Sequence, residues 1–558
     1  MHDIYPLLDT LPAEWLVPPE EQPDYLEVLE TPGPNLGEAL SDAHVRDGRG
    51  DDIAIIHHES SRSITYRELA ELSTQAARAL RTLGIRPGER VALRGGNRPE
   101  LLIAALGVWK LGAVVVPVPV LSRASELAFY LEDTEPAAII VEAGAPDLDM
   151  VLEETTRAGV RHVIGLDNRG SESRVLDWEA LLGTSGDEPL PPVDPDTVAI
   201  VWHTGGTTGR PKGCYHTQRR FLLAGGALGL ARETAPGQRW MAAAPIGHAL
   251  GMIYHTNFTL LHGAAVVMVE KFTDAGQLLE AMRTHKVTTF TAITATWIAM
   301  MNAIEAGTAD GPPGSLVNGF AMWQSSSSSD VFDWWKERGI TLLNNFGSTA
   351  FATWVLVPGL GLETPRGSLG DAAPGYEVRT LVPGSANGAP AATAGNDVGQ
   401  MAVRGVSGLT YWRLSEKQRE DVREGWVIVD DLIQRDGNGY AYLGRTDFMI
   451  SSNGNKISPG EVENVLSTHP SVREVVVIGL PDPVRQEIVS AFVVVKDGVS
   501  PSDDLRAELQ NKVKQTLSPY KYPRRLEFID ALPRDHVGKV QPKVMRERAL
   551  ATMVEETA

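Results

Sequence analysis

The stretch Thr204-Gly205-Gly206-Thr207-Thr208-Gly209-Arg210-Pro211-Lys212-Gly213 directly follows an apolar segment, residues 198–202, that is typical of a buried strand. Its glycines allow consecutive backbone N–H groups to turn toward an anion, its threonines add hydroxyl donors, and its lysine adds a positive charge. The stretch therefore predicts a loop that binds a polyphosphate. The residues expected to form this site are Thr204, Gly205, Gly206, Thr207, Thr208, Gly209 and Lys212.

This loop differs from a Walker A loop, in which Gly-Lys-Ser/Thr opens a helix. Here Arg210 and Pro211 separate Gly209 from Lys212, and no hydroxyl residue follows the lysine. A flexible surface linker is the alternative interpretation. The strand-like segment before the loop and the unbroken run of glycines and threonines favour phosphate binding.

The sequence before the loop alternates between helix-like and strand-like segments. Thr65-Tyr66-Arg67-Glu68 is a capping box, and apolar residues follow it at helical spacing until Gly84. Strand-like residues 90–93, helix-like residues 100–111 and the β-branched run 113–116 continue the alternation, which is typical of parallel βαβ units. The fold class predicted from this pattern is α/β.

The pattern changes after Gly444. A short helix at 460–467, strands at 474–478 and 488–495 and an amphipathic helix at about 503–517 predict a compact α+β module. A chain of 558 residues also exceeds the roughly 250–300 residues at which single cores stop growing. We expect a large N-terminal domain of parallel or mixed sheets with flanking helices, residues 1–445, and a small mobile C-terminal α+β domain, residues 446–558.

Composition narrows the classes of partner. The 51 Lys and Arg residues and 71 Asp and Glu residues give a net charge of −20, which repels nucleic acid and anionic lipid. The most apolar region, residues 101–121, is interrupted by Lys110, Pro117 and Pro119, and the N-terminus lacks the pattern of a signal peptide. We expect a cytoplasmic protein.

Cys214 is the only cysteine of the chain. We expect it to be an inert small residue and not a nucleophile, because no base is evident beside it.

The phosphate-loop stretch resembles the signature of the superfamily that includes acyl-CoA synthetases, nonribosomal-peptide adenylation domains and luciferases. Further motifs match in the family's order across essentially the whole chain. Asn345-Phe346-Gly347-Ser348-Thr349 resembles the family's aromatic-Gly-x-Thr-Glu motif. The resemblance implies that Phe346 stacks on adenine, that Thr349 holds the α-phosphate, and that Asn345, Gly347 and Ser348 belong to the AMP site.

The motifs that follow assign the ribose contacts and a hinge. Residues 425–431 resemble the family's Gly-Trp…Thr-Gly-Asp motif, with Val429-Asp430 in place of Thr-Gly, which implies that Asp431 accepts both ribose hydroxyls. Gly444-Arg445-Thr446-Asp447 is similar to the hinge motif. Arg445 then contacts ribose or phosphate, and Asp447 is the pivot between the domains.

Two motifs in the smaller domain complete the resemblance. Residues 532–539 resemble the Pro-Lys-x-x-x-Gly-Lys motif, which makes Lys539 the catalytic lysine. A lysine carried on a mobile domain would neutralise the charge that builds up when a carboxylate attacks the α-phosphate. Residues 450–456 resemble the segment that lines the thiolation tunnel, with Gly454 beside pantetheine and Lys456 at a basic phosphate contact.

Several positions depart from the family pattern. The family's Mg²⁺-binding glutamate should follow Thr349, but Ala350 stands there, so the metal ligands are unknown. The serine-rich run 323–329 replaces a Gly/Ala/Pro loop around the adenine and acyl pocket, where Gln324 and Ser325 are expected to contact the nucleotide. This run is compatible either with a tolerated loop or with a more polar pocket.

The acid that is activated is expected to be aromatic. The resemblance places the pocket walls in residues 245–251 and 321–324, and it implies that His248, Gly251, Trp323 and Gln324 line the pocket. His248 either gates or hydrogen-bonds the substrate, as a catalytic residue of the pocket, or packs in the core. The N-terminal residues 11–19 and residues 449–452 look most similar to the benzoate and 2-aminobenzoate CoA ligase branch.

The sequence therefore favours an AMP-forming acid–thiol ligase that uses ATP, Mg²⁺ and CoA. Three alternatives remain at this point. The enzyme could activate nitrite and transfer the nitrosyl group to an aryl amine, it could load a carrier-protein thiol, or it could be a nucleotide-binding pseudoenzyme. The presence of Lys539 argues against the last alternative. A homodimer is left open.

Overall fold

A computed structural model of the protein describes most of the chain, with internal gaps. The described residues are 35–167, 173–184, 186–204, 211–322, 329–360, 368–381, 398–436, 439–445, 448–452, 455–482, 485–517, 519–534 and 540–557. Several predicted features lie outside them. These are residues 11–19, Gly205, Gly206, Thr207, Thr208, Gly209, Trp323, Gln324, Ser325, Asp447, Gly454 and Lys539.

The first part of the chain alternates helices and strands. Its elements are α1 (Leu36–Ala39), α2 (Asp42–Arg46), β1 (Ile53–His57), β2 (Arg62–Thr65), α3 (Tyr66–Thr82), β3 (Arg90–Arg94), α4 (Pro99–Lys110), β4 (Val114–Pro117), α5 (Ala124–Thr134), β5 (Ala138–Glu142), α6 (Leu148–Arg157), β6 (His162–Leu166), β7 (Leu176–Asp177) and α7 (Trp178–Gly183). The predicted capping box is present, since the Thr65 side chain accepts from the Glu68 N–H and the Glu68 carboxylate accepts from the Thr65 N–H.

The second part continues the same alternation. Its elements are β8 (Val198–Thr204), β9 (Lys212–Thr217), α8 (Gln218–Ala231), β10 (Arg239–Ala242), α9 (Ala249–His255), β11 (Ala265–Met268), α10 (Ala275–Thr284), β12 (Thr289–Ile293), α11 (Thr294–Glu305), β13 (Asn318–Met322), α12 (Ser329–Lys336) and β14 (Thr341–Asn344). The predicted alternation before the phosphate loop therefore extends well beyond it.

The third part is mostly strand. Its elements are β15 (Phe346–Ser348), β16 (Thr353–Val357), β17 (Ser368–Ala372), β18 (Tyr376–Leu381), β19 (Val398–Gly405), α13 (Ser415–Asp421), β20 (Val422–Arg423), β21 (Trp426–Asp436) and β22 (Gly439–Arg445). The sequence analysis did not predict this region as a sheet.

The last part contains the predicted α+β module. Its elements are β23 (Ile450–Ser452), β24 (Asn455–Ile457), α14 (Pro459–Ser467), β25 (Val472–Asp482), β26 (Gln486–Val495), α15 (Asp503–Thr516), β27 (Arg525–Phe528) and α16 (Pro542–Thr557). Each strand and helix predicted here lies within one or two residues of an observed element, except that β25 extends beyond the predicted strand at both ends.

The described strands form four sheets. Two are largely parallel, in the orders β14-β13-β12-β10-β11-β1-β2 and β7-β6-β5-β3-β4-β8-β9, and each has one antiparallel edge strand, β2 or β9. The third, β15-β16-β17-β22-β21-β19-β18 with β20 beside β21, is antiparallel. The fourth, β24-β23-β26-β25, has β27 paired in parallel with β26. Helices flank the parallel sheets, and the predicted fold class is confirmed.

Helix α4 connects the core to the strand that enters the phosphate loop. Its residues are almost all buried, and Trp109, which is completely buried, donates from Nε1 to the carbonyl of Ala199 in β8 at 2.8 Å. Burial of the tryptophan and the hydrogen bond from its indole N–H, the only donor of this side chain, together fix the spacing between helix and strand.

Within the described part of the chain, no helix is both long and apolar enough to span a membrane.

The two predicted domains touch where α14 begins beside the end of β22. Ser458, just before α14, donates from Oγ to the carbonyl of Leu443 in β22 at 2.5 Å. A Cβ atom on Gly460 would lie only 2.2 Å from the same carbonyl, so the backbones approach too closely for any side chain at this position. Rotation about Asp447 would have to separate these groups.

A buried carboxyl group makes the stability of the C-terminal module depend on pH. Glu463 in α14 is 7% exposed, and its carboxyl accepts from the Val477 N–H at 2.8 Å. Burial raises the pKa of Glu463 from 4.5 to about 7, against the opposing effect of that hydrogen bond. The folded state holds this proton more tightly than the unfolded chain. Protonation of Glu463 therefore contributes to the free energy of unfolding, and this contribution is fully present below pH 4.5 and is lost as the pH rises to about 7.

We expect Glu463→Gln to stabilise the module at pH 8 by up to about 3 kcal/mol, because glutamine keeps the acceptor and cannot ionise. The stability difference from the wild type should shrink toward zero at pH 4. Urea unfolding at several pH values measures it, with Glu547→Gln on the exposed face of α16 as control. An equal pH dependence in the wild type and in Glu463→Gln would show that Glu463 is not the group responsible.

Candidate active site

The predicted phosphate loop joins two antiparallel strands. Thr204 at the end of β8 is paired with Lys212 at the start of β9, and residues 205–210 between them lie outside the described residues. We call β8, β9 and the connecting residues the phosphate hairpin. A strand, and not a helix, follows the loop, which agrees with the exclusion of a Walker A site.

The exit strand of the phosphate hairpin is bonded on both edges. Beyond its pairing with β8, Tyr215 donates its N–H to the carbonyl of Thr410 at 2.9 Å, and the Trp412 N–H donates to the carbonyl of Gly213 at 2.8 Å. A Cβ atom on Gly213 would lie 2.9 Å from the Cβ of Trp412. The backbone that carries Lys212 is therefore clamped between two neighbours.

A histidine–aspartate pair holds the base of the hairpin against α5. His203, whose side chain is 1% exposed, lies with Nε2 2.8 Å from the Asp133 carboxylate. The carbonyl of Asp133 accepts from Nε1 of Trp412 at 3.1 Å. His203 is also the cross-strand partner of Gly213, so one helix end is tied to both strands of the hairpin.

The Asn345–Thr349 motif contains β15 and ends at the first residue of the tight turn 349–352 that leads into β16. We call β15 and this turn, residues 346–352, the nucleotide turn. A Cβ atom on Gly347 would lie 2.2 Å from the carbonyl oxygen of Thr353, which explains the glycine. The Phe351 N–H donates to the carbonyl of Ser348 at 3.0 Å, and Ala352 has a φ of +52°. The exposed Ser348 and the adjacent Thr349 therefore lie on a turn with a fixed backbone.

The nucleotide turn contacts the phosphate hairpin directly. Nε2 of His216 in β9 donates to the carbonyl of Thr349 at 2.9 Å, and the Cys214 sulfur lies 4.0 Å from the same oxygen. The two predicted phosphate-binding segments are thus brought together, although these residues are 133 positions apart in the sequence. His216 was not identified from the sequence.

The side chain of Asn345 is engaged inside the protein. Asn345 is buried, its carbonyl oxygen accepts from the guanidinium of Arg232, and its amide donates to the carbonyl of Leu343 at 3.3 Å. Arg232 also donates to the carbonyl of Pro358 at 2.7 Å, and burial lowers its pKa to about 10. The contacts observed for Asn345 therefore indicate a structural role, and its predicted contact with AMP stays a prediction.

The predicted adenine and ribose residues lie side by side. The ring of Phe346 is stacked near that of Tyr442 in β22, with centroids 6.1 Å apart and planes inclined by 28°. The Tyr442 hydroxyl donates to the Asp431 carboxylate at 3.1 Å. Asp431 in β21 is the cross-strand partner of Arg445, so the antiparallel sheet brings all three predicted residues to one place.

The predicted acid-pocket residues are at the start of α9. His248 is exposed and caps this helix, since its Nδ1 accepts from the Leu250 N–H at 3.3 Å, so the alternative of a core-packing histidine is wrong. A Cβ atom on Gly251 would lie 2.1 Å from the carbonyl oxygen of Pro245. Gly251 therefore permits close packing of α9 against the segment before it, whatever contact it makes with the acid.

The nucleotide turn does not supply the usual metal ligand. Ala350 is buried and offers no donor, and no group of three His, Cys, Asp or Glu side chains within the described ranges is arranged to hold a metal ion. The described residues therefore contain no Mg²⁺ site built from protein side chains alone. Mg²⁺ accompanies ATP as the Mg-ATP substrate.

The ends of the loop that carries Lys539 are anchored. Residues 535–539 lie outside the described residues, but Arg534 and Val540 on either side form an antiparallel bridge. The Arg534 guanidinium pairs with Glu474 at 2.6 Å, which ties the loop to β25.

The segment predicted to line the thiolation tunnel falls on a pair of short antiparallel strands. Lys456 in β24 is the cross-strand partner of Ser451 in β23, and Gly454 lies between these strands in sequence.

Sequence analysis missed two residues of this site, Tyr442 and His216. Tyr442 lies two positions before Gly444, and Tyr440 occupies the alternate position on the same strand, which is a pattern that indicates an aromatic face. His216 gave no such signal, because a single histidine in an apolar strand is also compatible with a core position.

Two family models match most of the chain. The AMP-binding enzyme family matches residues 42–411, and the AMP-binding enzyme C-terminal domain matches residues 461–539. A 3-hydroxybenzoate–CoA ligase of Aromatoleum sp. (strain CIB) is 28% identical over 92% of this chain and 96% of its own length. A benzoate–CoA ligase of Thauera aromatica is 30% identical over 91% and 94%, respectively.

A solved structure shows the same fold. The crystal structure of an anthranilate CoA ligase in complex with anthranoyl-AMP has a TM-score of 0.83 at 24% identity, over 94% of this chain and 99% of that one. The chain belongs to the AMP-binding enzyme family. The predicted resemblance to the benzoate and 2-aminobenzoate CoA ligase branch and the predicted enzyme class, an adenylate-forming acid–thiol ligase, are confirmed.

We expect Cys214 to be unreactive in the folded enzyme. Cys214 is completely buried, and burial raises the pKa of its thiol to about 12, so the nucleophilic thiolate is scarce at neutral pH. Iodoacetamide should leave the intact mass and the activity unchanged at pH 8, whereas the protein unfolded in guanidinium should gain one adduct. Modification of the native protein with loss of activity would contradict this reading.

We expect Tyr442→Phe to raise the KM for ATP about 3- to 10-fold, because the variant loses the hydrogen bond that orients the Asp431 carboxylate. The KM for CoA should not change. Steady-state kinetics with each substrate varied in turn measures both values. Tyr440→Phe is the matched control, since the Tyr440 hydroxyl donates at 2.8 Å to the carbonyl of Val378, away from the ribose carboxylate. Equal ATP KM values for Tyr442→Phe and the wild type would exclude this role.

Proposed function

We propose that the enzyme activates a small aromatic carboxylic acid with ATP and transfers the resulting aromatic acyl group to the thiol of CoA. The observation that carries the proposal is the convergence of the phosphate hairpin and the nucleotide turn at the carbonyl of Thr349. The Phe346, Tyr442 and Asp431 group supports the nucleotide part of the assignment. The aromatic acid is supported by the relatives named for 3-hydroxybenzoate and benzoate, and by the structural neighbour that holds anthranoyl-AMP.

In the first half-reaction, a carboxylate oxygen of the acid attacks the α-phosphorus of ATP and pyrophosphate leaves, which forms the aryl adenylate. The phosphate hairpin, with Lys212 and its backbone N–H groups, binds the polyphosphate. Thr349 holds the α-phosphate, and Lys539 neutralises the negative charge that develops on it in the transition state. Asp431 and Arg445 orient the ribose, and Phe346 stacks on the adenine.

In the second half-reaction, the CoA thiol gives its proton to water and its sulfur attacks the carbonyl carbon of the adenylate. The bond between this carbon and the phosphate oxygen breaks, and AMP leaves with the electron pair. We assign this step to a second arrangement of the domains 1–445 and 446–558, reached by rotation about Asp447. Gly454 and Lys456 then border the pantetheine path. The Ser458–Leu443 hydrogen bond and the close approach at Gly460 are the contacts that such a rotation would break.

The departures from the family pattern do not favour a different reaction. The relatives named above are CoA ligases, and none of their names supports the activation of nitrite. Ala350 removes a carboxylate without adding another reactive group. Transfer to a carrier protein has no supporting observation among the described residues.

The proposal is tested with purified protein, Mg-ATP and a panel of benzoates, hydroxybenzoates, aminobenzoates and cinnamates, with acetate as an aliphatic control. Each acid is incubated without an acceptor, with CoA, or with nitrite, and AMP, pyrophosphate and the organic product are quantified. We expect an aryl thioester that requires CoA. A diazonium product that requires nitrite, or the absence of turnover with every acid, would refute the proposal.

We expect Lys539→Ala to slow formation of the aryl adenylate about 100- to 1,000-fold, because one group that stabilises transition-state charge is lost. Transfer from a presynthesised aryl adenylate to CoA should be affected much less. Pyrophosphate release and thioester formation measure the two steps separately. Lys543→Ala, four residues further on and exposed at the start of α16, is the matched control. A similar loss in both variants would mean that Lys539 has no special role.

A further inference from the structure

The carbonyl of Thr349 is the point at which the two halves of the nucleotide site meet. His216 donates to it from β9, the exit strand of the phosphate hairpin, at 2.9 Å. Two residues further along, the carbonyl of Phe351 accepts from the hydroxyl of Ser407. Both carbonyls that flank Ala350 are therefore fixed by side chains from outside the nucleotide turn.

The chemistry of this hydrogen bond defines the state of His216. A carbonyl oxygen can only accept, so Nε2 must carry the proton. His216 is completely buried, and burial lowers its pKa to about 4, which leaves the ring neutral with a single proton at Nε2. Among the described residues, Nδ1 has no hydrogen-bond partner. The His216 ring is therefore oriented so that Nε2 donates to the Thr349 carbonyl, although Nδ1 then accepts no hydrogen bond from the described residues.

The packing around His216 keeps its ring in this orientation. Trp202 in β8 contacts the His216 ring edge-on, with centroids 5.7 Å apart and planes at 66°. His216 is paired with Ile200 across the hairpin, and Trp202 with Cys214, so both aromatic rings stand on the antiparallel ladder that leads into the phosphate loop. A displacement of this ladder would move the donor that holds Thr349.

The His216 bond is the strong link between the Thr349 carbonyl and the phosphate hairpin. Without it, this carbonyl would keep a longer bond from the Ala352 N–H at 3.3 Å, which lies within the nucleotide turn itself, and the Cys214 thiol at 4.0 Å, which is a weak donor. Neither contact would hold the nucleotide turn firmly against the phosphate hairpin. Catalytic groups function only when they are held within about 0.5 Å of their working position. Thr349 occupies such a position if it holds the α-phosphate.

We propose that His216 is a positioning residue for adenylation, which fixes the nucleotide turn relative to the phosphate hairpin through its hydrogen bond to Thr349. This inference rests on the proposed function, because it assumes that Thr349 contacts the α-phosphate. Because His216 is completely buried, it acts on AMP and on ATP through Thr349.

Three substitutions separate the hydrogen bond from the volume of the side chain. His216→Gln places an amide N–H near the position of Nε2 and retains the donor. His216→Asn is polar but too short to reach the carbonyl, and His216→Met fills a similar volume without a donor. The matched control is His44→Met, since His44 is also buried and donates from Nε2 to the backbone carbonyl of Leu260 at 2.7 Å, outside the nucleotide site.

The main readout is the dissociation constant for AMP, measured by calorimetry at a temperature at which every variant is folded. We expect about 10-fold weaker binding for His216→Met and His216→Asn, and a value within about 2-fold of the wild type for His216→Gln. In turnover, KM for ATP should rise in the same order while KM for CoA stays unchanged. His44→Met should lower the melting temperature and leave AMP binding unaffected.

Two results would overturn the inference. One is wild-type AMP affinity in both donor-free variants, even with a lowered melting temperature, since this describes a merely structural histidine. The other is equal weakening in His216→Gln and His216→Met, because the donor would then be irrelevant. If His216→Met does not fold, the comparison of His216→Gln with His216→Asn decides.

The same binding measurement distinguishes this inference from the proposed function. A wild-type protein that binds AMP but activates no acid would refute the proposed function, and the AMP affinities of the variants would still decide the role of His216. A wild-type protein that does not bind AMP would overturn both.

Discussion

The site depends on the register of a single edge strand. Strand β9 is bonded to β8 on one side and to residues 410–412 on the other, and its side chains alternate between two faces. A slip by one residue would turn Cys214 and His216 away from Thr349 and would shift Lys212 relative to Thr204. The two backbone neighbours prevent this slip. The relative positions of the phosphate hairpin and the nucleotide turn therefore follow from hydrogen-bond pairing and not from the loop sequence itself.

The electrostatics of the site are local. A chain with a net charge of −20 does not attract a polyphosphate at long range, so binding depends on backbone N–H groups, hydroxyls and individual cations. His216 contributes as a neutral donor, because burial lowers its pKa to about 4. The alanine at position 350 removes a metal ligand, but it also removes a negative charge from the neighbourhood of the phosphates. Loss of the ligand and reduced repulsion act in opposite directions on nucleotide affinity.

The sequence supported the α/β alternation, the C-terminal module and the order of the motifs, because each depends on neighbouring residues. The capping box at Thr65 is an example, since both of its hydrogen bonds span three residues. The antiparallel sheet of residues 346–445 was not predicted, and Tyr442 was missed with it, because its contacts with Phe346 and Asp431 depend on the pairing of distant strands. Asn345 shows where assigning a residue's role from a family motif reaches its limit. Only the fold shows that its side-chain oxygen accepts a hydrogen bond from Arg232.

The burial of Cys214 makes the native sequence a suitable background for site-directed spectroscopy. No other cysteine is present, and this one is enclosed between β8 and residues 410–412 with its thiol protonated. Cysteines introduced on exposed positions of α10 and α15 would then be the only sites that react with maleimide dyes. Distances between such dyes would show whether the C-terminal module moves during a catalytic cycle, without first altering a residue beside the nucleotide turn.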